Sequence, residues 1–261
     1  MKEKILSPLT IRHCVQKLRT ALTHAVAAGI IETSPAAVLD LPAVLKTKKD
    51  PYSLEEVKRF LDAIIDHRFR ALFTLSILSG LREGEALALR WSDLDLEAGT
   101  IEVNNTLHRR EGAWYFDSAK TASSNRTVSM VPLLMNVLAQ HRESQTAERL
   151  LVGEYHKKDN PKGWVDWDVV FATHKGGPLL SRNVFRDYKK MQKQANLREQ
   201  TYHDLRHGAA NLMMNSGASS LAEVSKILGH SQLSITSDYY KHLSIESQRV
   251  TMDKLQAALT S

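Results

Sequence analysis

Residues 100–132, TIEVNNTLHRREGAWYFDSAKTASSNRTVSMVP, decide the fold class, because here apolar and polar residues alternate as they do along β-strands. The alternation is clear over 101–105 and 126–131, and Gly112 marks a turn before the aromatic run 114–116. The pattern predicts a small three-stranded antiparallel sheet.

Helical spacing of apolar residues surrounds this sheet on both sides. Upstream, Ser53 and Glu56 form a capping-box pattern ahead of an amphipathic helix, and further helices are predicted over 69–79 and 83–90. Downstream of Pro132 the spacing is mostly helical to the end. The sequence therefore predicts a mainly α (α+β) domain with one small sheet.

A basic, proline-containing segment at 41–51 is typical of an interdomain linker. Before it, apolar positions over 10–28 predict one amphipathic helix. Ser34 and Pro35 match the cap and first turn of a second helix. We therefore predict a small helical unit and a larger domain, with the boundary at residue 50.

Composition restricts the class of protein. The 261 residues are 43% hydrophobic and 25% charged, as in ordinary globular proteins. The net charge of +6 favours a polyanionic partner, although many basic proteins bind no nucleic acid. Cys14 is the single cysteine, which excludes an intrachain disulfide, and no signal peptide or apolar run of membrane-spanning length is present. We expect a cytoplasmic protein without a membrane partner.

The segment 201–214, TYHDLRHGAANLMM, places His203 and Arg206 three residues apart on one face of a predicted helix. Imidazole can transfer a proton near neutral pH, and guanidinium can hold a phosphate through two parallel hydrogen bonds. The pair therefore suits phosphoryl transfer, although by itself it is better explained by ordinary polar contacts at a partly buried helix start.

Two further segments carry similar groups. In SGLREGEALALRW, Arg82 opens a predicted helix and Glu85 follows three residues later. Because helix starts favour anions, Arg82 there would reinforce a phosphate site. In LGHSQLSITSDYYKHL, His230 follows a glycine and precedes Tyr239 and Tyr240. The alternatives are a surface ion pair for the first segment and core aromatic residues for the second.

Together and in this order, the segments resemble the catalytic set of the tyrosine site-specific recombinases, the phage integrase family. The resemblance rests on Arg82 in GLRxGE, His203 and Arg206 as HxxR, His230 in LGHS, and a tyrosine before His242. Lys120, in SAKTASSNRTVSMVP, resembles the lysine that the family carries on its sheet. The similarity covers most of 51–245.

The resemblance implies a helical catalytic domain that cleaves and rejoins DNA through a 3′-phosphotyrosyl intermediate, in integration or excision of a mobile element. It implies no nucleotide cofactor and no metal. The implied roles are phosphate stabilisation by Arg82 and Arg206, general base catalysis by His203, protonation of the leaving 5′-oxygen by Lys120, a phosphate hydrogen bond from His230, and support of Arg82 by Glu85.

Two tyrosines compete for the role of nucleophile. Tyr240 stands two residues before His242, which matches the ending common in the family. Tyr239 matches shorter versions of the motif, counted from the histidine of LGH. We favour Tyr240 and keep Tyr239 as the alternative.

Residues 6–36 resemble the last part of the family's helical core-binding domain. The resemblance thus implies a partial core-binding (SAM-like) region with linker over 1–49 and a catalytic domain over 50–261. It also implies that the arm-binding domain and part of the core-binding domain are missing. We expect a truncated protein, a decayed gene or a deliberately shortened protein.

The implied partners are double-stranded DNA attachment sites, a homotetramer in the synaptic complex and, in some systems, accessory DNA-bending proteins. The candidate DNA-binding residues are Lys46, Lys48, Lys49, Arg182, Lys189 and Lys190.

Two rival hypotheses remain. A truncated integrase remnant could bind DNA without productive recombination. A metallohydrolase could use His203 and His207, which lie four apart on a helix as zinc ligands sometimes do, although the HExxH pattern is absent.

Overall fold

The computed structural model describes residues 6–44, 50–118, 125–159, 167–215 and 220–229, with only the backbone of 152–159. The chain divides into two compact units, one ending at Lys49 and one beginning at Asp50. Among the described helices, none combines the length and the apolar character needed to cross a bilayer.

The first unit contains one helix, α1, Pro8–Ala27, within its described part. Ser7 caps it by accepting a hydrogen bond from the Thr10 amide at 3.2 Å. No residue of α1 is buried, and Leu9 and Leu18 are among its exposed apolar side chains.

The second helix predicted from Ser34 is wrong, because residues 35–38 form a turn. The Arg19 side chain explains the difference. Its Nε donates to the carbonyl of Ala36 at 2.9 Å and its Nη2 to that of Leu39 at 2.8 Å. A side chain from α1 thus satisfies backbone acceptors that a helix would satisfy with its own amides.

The second unit is mainly helical, as predicted. Its described helices are α2 Leu54–Ala63, α3 Arg70–Ser79, α4 Glu83–Ala88, α5 Pro132–Asp159, α6 Ser181–Gln194, α7 Tyr202–Asn215 and α8 Leu221–Leu228. The predicted capping box is present: Ser53 Oγ accepts from the Glu56 amide at 3.2 Å, and Glu56 Oε2 accepts from the Ser53 amide at 2.8 Å.

The predicted three-stranded antiparallel sheet is confirmed, with a different strand composition. Its strands are β1 Leu94–Asp95, β2 Thr100–Val103 and β5 Arg126–Ser129, with β2 in the centre. The aromatic run belongs instead to a separate hairpin formed by β3 Asn105–Arg110 and β4 Ala113–Ser118. Glu111 and Gly112, with φ of 49° and 85°, form the two-residue turn that returns β4 onto β3.

Helix α3 lies at the centre of the core. Eight of its ten residues are buried, which agrees with its continuous apolar character. Phe73 on α3 stacks on Tyr188 of α6 with ring centroids 4.9 Å apart, and it meets Phe60 of α2 edge to face at 5.9 Å. The carboxyl end of this central helix leads directly to Arg82.

Candidate active site

The junction between α3 and α4 positions Arg82. Gly80 ends α3 with φ of 64°, and a Cβ there would lie 2.4 Å from Leu228 Cδ2. Glycine is therefore required both for the backbone conformation and for the close approach of α8. Arg82 follows as the residue that precedes the first turn of α4.

Glu85 holds Arg82 through both backbone and side chain. Its Oε2 accepts from the Arg82 amide at 2.9 Å, and its Oε1 accepts from Arg82 Nη1 at 2.7 Å. The Glu85 side chain is 5% exposed and that of Arg82 is 43% exposed. The guanidinium is thus anchored on its protein side and open to solvent on the other.

Helix α7 contributes His203 and Arg206 from one face, as the three-residue spacing predicts. Arg206 is 2% exposed; its Nη1 donates to the Gly80 carbonyl at 2.8 Å and its Nη2 to the Leu228 carbonyl at 2.6 Å. Arg82, His203 and Arg206 all line one open pocket of about 150 Å³, together with Glu83 and Tyr202.

Burial, followed by the charge of Arg206, holds the pKa of His203 below its ordinary value. His203 meets His207 edge to face with ring centroids 4.4 Å apart. Burial, followed by repulsion from His203, lowers the pKa of His207 to about 4. Both imidazoles are therefore neutral near pH 7, and a neutral His203 can accept a proton.

Two groups at the site were not predicted from the sequence. Burial raises the pKa of Glu83, against the effect of a hydrogen bond with Ser181 at the start of α6. Arg126, the first residue of β5, places its Nη2 2.9 Å from Glu85 Oε2. Glu83 could have been noticed from its position beside Arg82, whereas Arg126 has only its place in an alternating strand pattern as a signal.

The structure brings together Arg82, Glu85, His203 and Arg206 of the predicted catalytic set. Two other groups of predicted site residues lie outside the described residues: the catalytic candidates Lys120, His230, Tyr239 and Tyr240, and the candidate DNA contacts Lys46, Lys48 and Lys49. Gly229, the residue before His230, is described, and its carbonyl accepts from Arg82 Nη2 at 3.3 Å.

The candidate DNA-binding residues of α6 are exposed. Arg182 lies in its first turn, and Lys189 and Lys190 lie further along. Lys189 pairs with Glu199 at 2.8 Å and lies over the Phe185 ring, 5.2 Å from its centroid. These contacts are solvent-exposed, so the charges remain accessible to a phosphate backbone.

Among the described residues, no group of three or more His, Cys, Asp or Glu side chains is placed to hold a metal ion. A larger pocket of about 360 Å³, between the start of α3 and α5, is lined by His67, Arg70 and His141 among others and contains no predicted site residue.

Comparisons with known proteins identify the family of the chain. The model of the phage integrase family matches residues 53–246. The tyrosine recombinase XerC-like protein of Caldanaerobacter subterraneus subsp. tengcongensis is 31% identical over 252 residues, covering 91% of this chain and 63% of that protein. The ICEBs1 integrase of Bacillus subtilis is 27% identical, covering 99% of this chain and 68% of that protein.

The fold is also found among solved structures. The Tn1549 transposon integrase in complex with a circular intermediate DNA has a TM-score of 0.77 at 23% identity, covering 98% of this chain and 82% of that one. The chain spans about two thirds of the length of the two curated relatives. From the family match over most of its length and the identity to these relatives, the chain belongs to the phage integrase family.

Proposed function

We propose that this protein is a site-specific DNA recombinase that cleaves and rejoins DNA strands through a 3′-phosphotyrosyl intermediate. The observation that carries the proposal is the shared pocket of Arg82, His203 and Arg206, which combines two fixed cations with a neutral imidazole. Family membership and a structural neighbour solved with DNA support the same reaction.

In the proposed step, the tyrosine oxygen attacks the scissile phosphorus while the bond from phosphorus to the 5′-oxygen breaks. The tyrosine proton passes to His203, because phenol has a pKa near about 10 and needs a base at neutral pH. Arg82 and Arg206 stabilise the charge that develops on the nonbridging oxygens. Lys120 supplies the proton to the leaving 5′-oxygen, and His230 donates to the phosphate.

Tyr240 is the proposed nucleophile, and Tyr239 is its competitor. The covalent link retains the energy of the phosphodiester, so a 5′-hydroxyl from a partner strand can reverse the step without a nucleotide cofactor. The proposed substrate is double-stranded DNA carrying attachment sites, bound by a homotetramer with or without accessory DNA-bending proteins. The proposed activity is cytoplasmic.

The test uses nicked suicide duplexes taken from the DNA that flanks the gene. The purified chain is incubated with them in EDTA, adducts that resist denaturation are isolated, and the modified peptide is identified by mass spectrometry. Tyr240→Phe and Tyr239→Phe form a matched pair of variants. We expect an adduct on Tyr240 that Tyr240→Phe abolishes and Tyr239→Phe retains.

Each other outcome has a defined meaning. An adduct that persists in Tyr240→Phe and disappears in Tyr239→Phe would reassign the nucleophile. DNA binding without any adduct would favour a binding-only integrase remnant. Cleavage that yields no adduct and occurs only when EDTA is replaced by a divalent metal would favour metal-dependent hydrolysis.

A further inference from the structure

Three arginines converge on the carboxyl end of α8. The carbonyl of Ile227 accepts from Arg126 Nε at 2.6 Å, and that of Leu228 accepts from Arg206 Nη2 at 2.6 Å. The Gly229 carbonyl accepts from Arg82 Nη2 at 3.3 Å. The last carbonyls of a helix have no partner within the helix, so three side chains from three other elements satisfy them here.

Arg126, like Arg82, makes its second contact with Glu85. Its Nη2 lies 2.9 Å from Glu85 Oε2 and its Nη1 lies 3.3 Å from Glu85 Oε1, so the guanidinium faces both carboxylate oxygens. Both side chains are 5% exposed. Arg126 is therefore enclosed by protein, and it contacts a group that itself contacts Arg82.

Glu85 is shared by two arginines, Arg82 and Arg126. A buried carboxylate is stabilised only when its charge and hydrogen-bonding capacity are satisfied. Without Arg126, Arg82 would be the remaining arginine of this pair, and the carboxylate would draw the Arg82 guanidinium inward. Arg126 thus supplies Glu85 with a second cation, so that Glu85 can anchor the amide and Nη1 of Arg82 while the Arg82 guanidinium keeps its open side towards the pocket.

We propose that Arg126 is a positioning residue for DNA cleavage, acting through Glu85 on Arg82. The inference rests on the proposed recombinase function. Arg126 is itself fixed by two independent contacts: the Ile227 carbonyl, and pairing of its strand with β2, where Arg126 lies opposite Val103. A lysine offers a single point of charge and cannot reproduce the two-pronged contact with Glu85.

The first experiment measures single-turnover cleavage of the nicked suicide duplex at saturating DNA. Arg126→Gln is made in the wild-type chain and in Arg82→Ala. We expect at least a tenfold loss of rate in the wild-type chain, an intermediate loss for Arg126→Lys, and a further loss of less than threefold in Arg82→Ala. DNA affinity should stay within threefold, since the Arg126 side chain is only 5% exposed.

Arg68→Gln is the matched control. Arg68 also pairs with a glutamate, Glu148, and donates to a backbone carbonyl, that of Ala172 at 2.8 Å, but it lies outside the pocket. Its cleavage rate should stay within twofold of wild type. A rate for Arg126→Gln within threefold of wild type, or the same fold loss in both backgrounds, would overturn the inference.

A second measurement separates this inference from the proposed function. Protein labelled with ¹⁵N-arginine gives side-chain Nε–Hε NMR signals, and the Arg82 signal is assigned with Arg82→Lys. Arg126→Gln, or Arg126→Lys should the first variant not fold, should shift and broaden the Arg82 signal, whereas Arg68→Gln should leave it in place. An unchanged signal overturns the inference whether or not DNA is cleaved; lack of an adduct with wild type counts against the proposed function instead.

Discussion

The arginines around the end of α8 and the basic residues of α6 carry the same sign of charge in opposite settings. The side chains of Arg206 and Arg126 are almost fully buried, and they donate to the backbone carbonyls of Leu228 and Ile227. Arg182 and Lys190 are exposed, and the Lys190 contact to Asp187 is 3.7 Å long. A fixed cation can stabilise a transition state without reorganisation, whereas an exposed cation mainly adds affinity for a polyanion.

Arg82→Ala, compared with a variant on α6, is the strongest test of the difference between cations held at the site and exposed cations. Removal of one preorganised donor from a developing oxyanion typically costs about 3 to 4 kcal/mol of barrier, so cleavage should slow by about 10²- to 10³-fold. Single-turnover assays at saturating DNA measure this. Arg182→Ala is the control on α6 and should stay within threefold; equal losses in the two variants would remove the distinction.

Glu85→Gln tests how much the buried cluster stabilises the fold. Loss of one partner from a buried ion pair costs about 3 to 5 kcal/mol, which urea unfolding at pH 7 would show. The control is Glu148→Gln. The Glu148 side chain is 36% exposed in its pair with Arg68, so its replacement should lower the free energy of unfolding by at most about 1 kcal/mol.

The same variant has a pH signature. Burial raises the pKa of Glu85, but hydrogen bonds and charge from Arg126, followed by hydrogen bonds from Arg82, outweigh it and hold the pKa below its ordinary value. This stabilisation is present above the unfolded pKa of about 4.3 and is lost as pH falls through the lower folded pKa. Wild type should therefore lose more stability than Glu85→Gln in that acid range; identical acid profiles would contradict the lowered pKa.

His203 should set the acid limb of the cleavage profile. Since burial and Arg206 lower its pKa, the base remains unprotonated below the ordinary histidine range. We expect kcat/KM to fall about tenfold per pH unit on the acid side, with a midpoint below about 6.5. A wild-type midpoint at or above that value would argue against His203 as the base. The residual rate of the His203→Gln variant serves as the control.

Lys189→Ala combined with Lys190→Ala should give the smallest effect. If both contact phosphates, the slope of log affinity against log salt should become shallower by about 0.9 for each lysine. The cleavage rate at saturating DNA should stay within twofold. Lys58→Ala, exposed on α2, controls for net charge, and an unchanged slope in the α6 double variant would exclude both lysines as phosphate contacts.

Local signals in the sequence predicted what depends on neighbouring residues. The cap of α2 depends on Ser53 and Glu56, and the shared face of His203 and Arg206 depends on helical spacing, so both were found correctly. The family resemblance placed Arg82 and Arg206 in one site, although they lie 124 positions apart in the sequence. Helical spacing, capping patterns and charge could not bring these two arginines together, because they report only on neighbouring residues.

Two of the sequence predictions fell short because the partners that matter are distant in sequence, and a third because a local turn overrode the strand pattern. The turn after Ser34 is held by Arg19, 17 residues before Ala36. Arg126 meets Glu85 across 41 residues, which no periodicity reveals. The aromatic strand could pair with either neighbour by its pattern, and the two-residue turn at Gly112 decided the choice.

The buried position of α3 links the site to the cooperativity of the whole domain. Arg82 is the third residue beyond the end of a helix that is enclosed by α5, α6 and α7. Segments of this kind exchange their amide hydrogens only through global opening, whereas catalytic loops elsewhere often open alone. The loss of activity on heating should therefore follow the unfolding curve of the domain. We expect no temperature range in which the domain stays folded while Arg82 is displaced from the site.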